Sequence, residues 1–235
     1  MAGELTTALN LQMNLGDASE PPVVEVEAGL RDVDLLLRPG ELSLTGVTGD
    51  LVYSTARGLS ASNVTGSLWG RPFLADISQG GIDQLAPDTA YDPKVSPVQV
   101  SAQGTIEVAA LSDWQNLPRL AFATGATAVD TVVTIQPGET PLLTGKTELL
   151  GVALALPEPF EKPPGQVLPL SFSLPLGAEA MVLSLNADNA LQLALDLSDG
   201  GLKGASLAFG ESNIPVKPGR LLVGGHAGLA DEAQW

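Results

Sequence analysis

The 235-residue chain has no cysteine, a single histidine (His226) and only ten aromatic residues. Without cysteine there is no disulfide and no thiol chemistry, although the compartment stays open. One histidine set between glycines cannot build a zinc site unaided, and any histidine-activated nucleophile would rest on it alone. Positive charge is scarce too. Eleven Lys and Arg stand against 27 Asp and Glu, a net charge of −16, which opposes nucleic acid and anionic membrane surfaces as direct partners. Long apolar runs are missing as well. The longest stretch without a charged residue, Pro163–Ala178, has 16 residues and four prolines, short of the roughly 20 apolar residues of a spanning helix. The opening MAGELTTALN carries neither the basic nor the apolar region of a signal peptide.

What the sequence does contain is leucine, 39 of them, with 26 glycines and 18 prolines. Its apolar surface is therefore aliphatic and poor in polar handles. Alternation with period two dominates. Residues 5–15, LTTALNLQMNL, place Leu9, Leu11, Met13 and Leu15 on one side, and Val24, Val26, Ala28 and Leu30 follow. A short strand is expected around Leu42 and Leu44. GDLVYSTARGLSASNVTGSLWGRPFLADI (49–77) predicts a meander broken at Arg57-Gly58 and at Gly70-Arg71-Pro72.

A polar loop, residues 81–97, separates a first meander (1–80) from a second (98–235). The best helical candidate is AALSDWQNLPRL, two turns ended by Pro118. Strands are expected near 121–135 and 142–156. The clearest stripes come last: Leu150, Val152, Leu154 and Leu156; Leu168, Leu170, Phe172, Leu174 and Leu176; Met181, Leu183 and Leu185; Leu191, Leu193, Leu195 and Leu197. Ser171, Ser173, Ser184, Asn186, Gln192, Asp196 and Ser198 occupy the alternate positions, so one face is apolar and the other wet. The final GGHAGLADEAQW reads as the start of a helix and weakly echoes GTIEVAALSDW (104–114).

The search for chemistry finds no catalytic residue and no metal set. GETPLLTGKT (138–147) ends like a phosphate loop, but its glycine spacing is wrong and its flanks read as strands. GESNI (210–214) lacks the closing glycine of a nucleophile elbow. Asp83, Asp88 and Asp92, and the DLSDG turn (196–200), lack a full calcium-ligand spacing and read as solvated turns. The leucine stripes have two readings: the core side of a closed β-sandwich, or a surface for an apolar ligand.

A family resemblance separates these readings. TELLGVALALPEPFEKPP (147–164) resembles a motif of the YhdP branch of the AsmA-like proteins of Gram-negative bacteria, in which a Gly-Val, aliphatic, Leu-Pro-x-Pro run is followed by a lysine, here Lys162. Glu161 departs from the small residue expected before that lysine. Tyr53, Gly58, Leu59, Gly70 and Pro72 are similar to that branch's meander unit, and GTIEVAALSDW to its strand-to-Trp connection. The ordered matches cover most of residues 45–235.

The resemblance implies a mostly β fold: a long, strongly curved antiparallel sheet forming an open apolar groove, with one or two short helices. It implies a fragment of a longer, non-enzymatic protein that holds phospholipid acyl chains and moves them between inner and outer membrane. The expected lining is Leu150, Val152, Leu154, Leu156, Leu168, Leu170, Phe172, Leu174, Met181, Leu183, Leu185, Leu191, Leu193 and Leu195. Expected partners are phospholipids, neighbouring segments of the same chain and an inner-membrane anchor outside this stretch, with a periplasmic location, no cofactor and no nucleic acid. The alternative is a closed β-sandwich serving as a scaffolding or adhesin-like module.

Overall fold

The structure, a computed structural model, describes residues 3–12, 22–37, 42–80, 96–114, 122–155, 161–177, 181–188, 191–198, 201–210 and 214–225. The chain divides into two compact units. One comprises Met1–Gly104 with Thr131–Pro141, the other Thr105–Asp130 with Leu142–Trp235.

The first unit is a meander of β1 (Glu4–Gln12), β2 (Val23–Leu37), β3 (Leu42–Ser54), β4 (Gly58–Leu68), β5 (Arg71–Gln79) and β6 (Val98–Glu107, of which 98–104 fall here). The expected turns are in place. Trp69 and Gly70, with φ of 51° and 77°, form the two-residue connection of β4 to β5, and paired positive φ values are what such a tight hairpin demands. The strand expected near Leu42 is longer than its sequence signal and runs on into the meander at Ser54.

Three consecutive strands carry residues in the left-handed region: Asp32 (φ 54°) on β2, Gly46 (φ 64°) on β3 and Asn63 (φ 57°) on β4. Ladder register shifts beside each of them. The Asp32 N–H donates to Thr48 Oγ1 at 3.1 Å, Gly46 N–H to Asp34 Oδ1 at 3.2 Å and Asn63 N–H to Asp76 Oδ1 at 2.9 Å, so side chains satisfy groups the bulges take out of the ladder. Stacked bulges bend a sheet and increase its twist. Val47, Ala61, Val64 and Ala75 form a buried cluster, with Leu30, Leu35, Leu44, Leu51, Phe73, Ile77 and Ala102 packed on it. Glu25, Glu27, Arg31 and Asp50 hold alternate positions on the opposite face, where Arg31 pairs with Asp50 and Arg57 with Glu25.

The second unit contains α1 (Val108–Trp114), most of β7 (Ala123–Ile135), β8 (Leu142–Thr147), β9 (Val152–Leu154), β10 (Leu170–Pro175), β11 (Val182–Ala187), β12 (Leu191–Asp196), β13 (Gly204–Phe209) and β14 (Leu221–Gly225). The helix begins at Val108, one residue before its sequence signal; residues 115–121, including Pro118, lie outside the described residues, as do most of loop 81–97, His226 and the final segment. The strand expected over 142–156 is interrupted. Leu149 (φ 49°) and Gly151 (φ 92°) break it into β8 and β9, and β10 pairs with β8 while β9 pairs with β7.

The hydrogen-bonded order of the described strands is β1-β2-β3-β4-β5-β6-β7-β8-β10-β11-β12-β13-β14, with β9 beside β7. The fold class read from the sequence holds: a predominantly β chain on one large unclosed sheet, as a groove requires and a closed barrel does not. One pair departs from the antiparallel expectation. β14 runs parallel to β13 rather than closing a hairpin with it.

Candidate functional site

Residues directly opposite in a β-ladder point to the same face, so the register of the second unit assembles its stripes into transverse rows. The central row runs Gly145, Phe172, Leu185, Leu193, Leu207, Val223 across β8 and β10–β14. Beside it lies Thr147, Leu170, Ala187, Leu191, Phe209, Gly225. On the other flank Leu143 faces Leu174, and Leu183, Leu195, Ala205 and Leu221 continue in register. No charged residue enters any row. At ~4.8 Å between strands, five strand intervals give the rows a span of roughly 24 Å.

Most of the sequence-predicted lining residues meet on this face. Leu170, Phe172, Leu183, Leu185, Leu191, Leu193 and Leu195 are half-buried, neither sealed in a core nor standing free. Leu174, on the same face, is buried at 4% exposure. Met181 precedes β11 and continues its alternation; its N–H donates to Ser198 Oγ at 3.3 Å. On the outermost strand, Leu221 and Val223 are exposed.

The residues around the strand break go elsewhere. Leu150 is exposed in the turn, Val152 retains 1% of its surface, Leu154 is half-buried, and Leu156 lies outside the described residues. Here a second segment runs alongside. Leu154 and Lys162 exchange backbone hydrogen bonds of 2.9 and 3.0 Å, Gly151 N–H donates to Pro164 O at 2.8 Å, and Leu168 N–H donates to Glu148 O at 2.8 Å. Leu168 is thereby held next to the break, ahead of β10.

Lys162 itself is 3% exposed. Its Nζ donates to Val152 O at 2.7 Å, Leu149 O at 2.8 Å and Pro163 O at 3.3 Å. At the break Leu149 O also accepts the turn bond from Val152 N–H at 3.1 Å, and the ammonium adds donors to the Leu149 and Val152 carbonyls. Burial pushes its pKa below the ordinary lysine value. Its sequence signal was the lysine after Leu-Pro-x-Pro; its role as a carbonyl cap was not readable from that motif.

Aromatic side chains on the apolar faces sit over glycines. Gly145 lies opposite Phe172, Gly66 opposite Phe73, and Gly104 opposite Phe73 on its other side. A Cβ at Gly145 or Gly66 would collide with the facing ring, so each glycine is the space its phenylalanine fills.

The opposite face of the same strands carries Ser171, Asn186, Gln192 and Ala208 in one row and Ser173, Ser184, Ala194 and Ser206 in the next. These small side chains leave a depression of about 310 Å³ beneath Ile214. Asp196, at the end of β12, accepts from Ser198 Oγ at 2.5 Å and Ser198 N–H at 3.1 Å; its pKa is lowered, first by the Ser198 side-chain bond, then by the Ser198 backbone bond. Asp196 is thus engaged in its own turn rather than offered as a metal ligand. Asp83, Asp88, Asp92 and residues 211–213 lie outside the described residues.

Sequence reasoning missed the first unit as a candidate surface. Thr7, Ala28, Leu51, Ala61, Ile77 and Val100 form a comparable row across β1–β6. On β1, Leu5, Leu9 and Leu11 are exposed. The signal was present in the Leu9–Leu15 and Val24–Leu30 alternation, but phase slips at the bulges hid its continuation.

Among the described residues no cluster of His, Asp and Glu could hold a metal ion, and no helix is long and apolar enough to cross a membrane. No curated protein and no solved structure matches the chain. A family model described as YhdP protein matches residues 1–235; the chain belongs to the YhdP family.

Proposed function

We propose that this family member is a non-enzymatic section of a lipid conduit that holds phospholipid acyl chains against the leucine rows of β8 and β10–β14. In this reading it lies in the periplasm, as part of a longer inner-membrane-anchored chain, and passes lipid between inner and outer membrane. The observation that carries the proposal is the register: three adjacent rows without a charge, whose leucines keep part of their surface accessible.

Such a face suits transfer as well as binding. Moving about 15 methylenes from water onto apolar surface is worth on the order of 12 kcal/mol, at ~0.8 kcal/mol for each CH₂. Dispersion and hydrophobic contacts are non-directional, so a chain held by them slides from row to row without breaking a specific bond. Leu170, Phe172, Leu183, Leu185, Leu191, Leu193 and Leu195 make the contact. Leu174 stands on the same face beside them, opposite Leu143, and Met181 continues the alternation of β11. The net charge of −16 keeps a leucine-rich chain soluble and limits adhesion to anionic head groups.

The test is purification from a Gram-negative host without detergent, then organic extraction and mass spectrometry. Phospholipid near one equivalent, lost in Leu185→Asp and Leu193→Asp but kept in Ser171→Asp on the other face, is the expected result. A folded, lipid-free protein would refute the reading.

A further inference from the structure

We propose that the serine-lined depression on the face opposite the leucine rows is a binding site for a small neutral polyol, of the size of a single sugar ring. The depression is bounded by Ser171–Ser173 on β10, Ser184–Asn186 on β11, Gln192–Ala194 on β12, and Ser206 and Ala208 on β13, with Ile214 at its edge; Phe172, Leu185 and Leu193 border it from alternate positions of the same strands, whose side chains belong to the leucine rows. Its volume of about 310 Å³ is at the small end of ligand sites, roughly 300–1,000 Å³.

Two observations mark it as more than a wet sheet face. Ser206 is 3% exposed, yet its hydroxyl has no hydrogen-bond partner among the described residues, and buried hydroxyls are almost always partnered. Ile214, just before β14, also lies over the face. Gly224 stands opposite Ala208, and the Ile214 side chain occupies the space its missing Cβ leaves, 3.0 Å from where that atom would be.

The lining fixes the chemical class. Serine hydroxyls and the Gln192 amide each donate and accept, matching the mixed donors and acceptors of a polyhydroxy compound. None of the lining residues is charged. Lys146, opposite Ser171 in register, stands on β8 beyond the lining, and a chain of net charge −16 repels free anions at long range. Phe172 borders the depression but alternates onto the leucine rows with Gly145 and Leu185, so it offers no ring for a sugar to stack on. Affinity therefore comes mainly from hydrogen bonds and falls in the millimolar range. The site is on the other side of the sheet from the lipid rows, so it stands or falls independently of the lipid reading.

The test is ¹⁵N–¹H NMR of the full chain titrated with glucose, myo-inositol and glycerol, with inorganic phosphate as the anionic comparison. Saturable shifts at the Ser206 backbone and Gln192 side-chain amides are expected with at least one polyol. Ser206→Val, and Gln192→Ala at a half-buried position that tolerates change, each weaken that response about threefold to tenfold. Absence of saturation with all three polyols would overturn the proposal and leave the depression to water. So would shifts unchanged in both variants, or a stronger response to phosphate.

Discussion

Phe172 faces Gly145 directly across β10 and β8, and its ring covers the place where a side chain at residue 145 would begin. The pair anchors the central leucine row to β8. Gly145→Ala should destabilise the protein by about 1–3 kcal/mol through overpacking, read as a lower denaturant midpoint. Combining it with Phe172→Leu should recover part of the loss, because the two residues share one space. Recovery should stay incomplete, since the added methyl also comes within 2.9 Å of the Asp130 carbonyl on β7. Strict additivity would show that the ring is not the obstacle.

Lys162 closes the strand break by bonding to Val152 and its neighbours. Lys162→Met preserves bulk and removes three donors; Leu149 O and Pro163 O keep backbone donors from Val152 and Gln166, so the loss falls chiefly on the Val152 carbonyl. A loss of about 1–3 kcal/mol in chemical denaturation is expected. The pH dependence has a defined sign. The folded pKa is depressed below 10.5, so between the folded value and 10.5 the unfolded chain keeps a proton the folded one has lost. Stability of the wild type relative to Lys162→Met should therefore rise with pH across that window. A flat difference would mean the ammonium feels no burial.

Asp196 draws its lowered pKa first from the Ser198 hydroxyl. NMR titration of Ser198→Ala should show the Asp196 carboxyl moving up toward the ordinary carboxylate value. Its contribution to stability is present above the unfolded pKa and is lost as pH falls through the lower folded one. An unmoved titration curve would assign the shift to the backbone bond or to Lys203 instead.

The parts of the fold visible in the sequence were those obeying one period without interruption. Leu170–Leu174, Leu183–Leu185 and Leu191–Leu195 alternate cleanly, and their register joins them into rows. The Trp69-Gly70 turn was marked by its Gly-Arg-Pro surroundings. Bulges are different, because each inserted residue shifts the apolar phase. Asp32, Gly46 and Asn63 sit where the Val24–Leu30 and Leu59–Ala61 stripes seem to fade, although the apolar face continues through Val33, Val47 and Val64. Likewise Leu150–Leu156 alternates like its neighbours, but Leu149 and Gly151 adopt positive φ, and Val152 is buried on β9 beside β7. Parallel pairing of β13 and β14 leaves no local trace, since register between parallel strands is a tertiary choice.

The central claim is that lipid lies on the leucine face and not on the serine face. Adjacent strand positions test this within one residue, because Leu193 and Ala194 point to opposite sides of β12. A photo-crosslinking phenylalanine analogue in place of Leu193 or Leu185 should yield phospholipid adducts in cells on irradiation. The same analogue in place of Ala194 or Ser184 should yield none. Adducts confined to the serine face, or equal on both, would contradict the account.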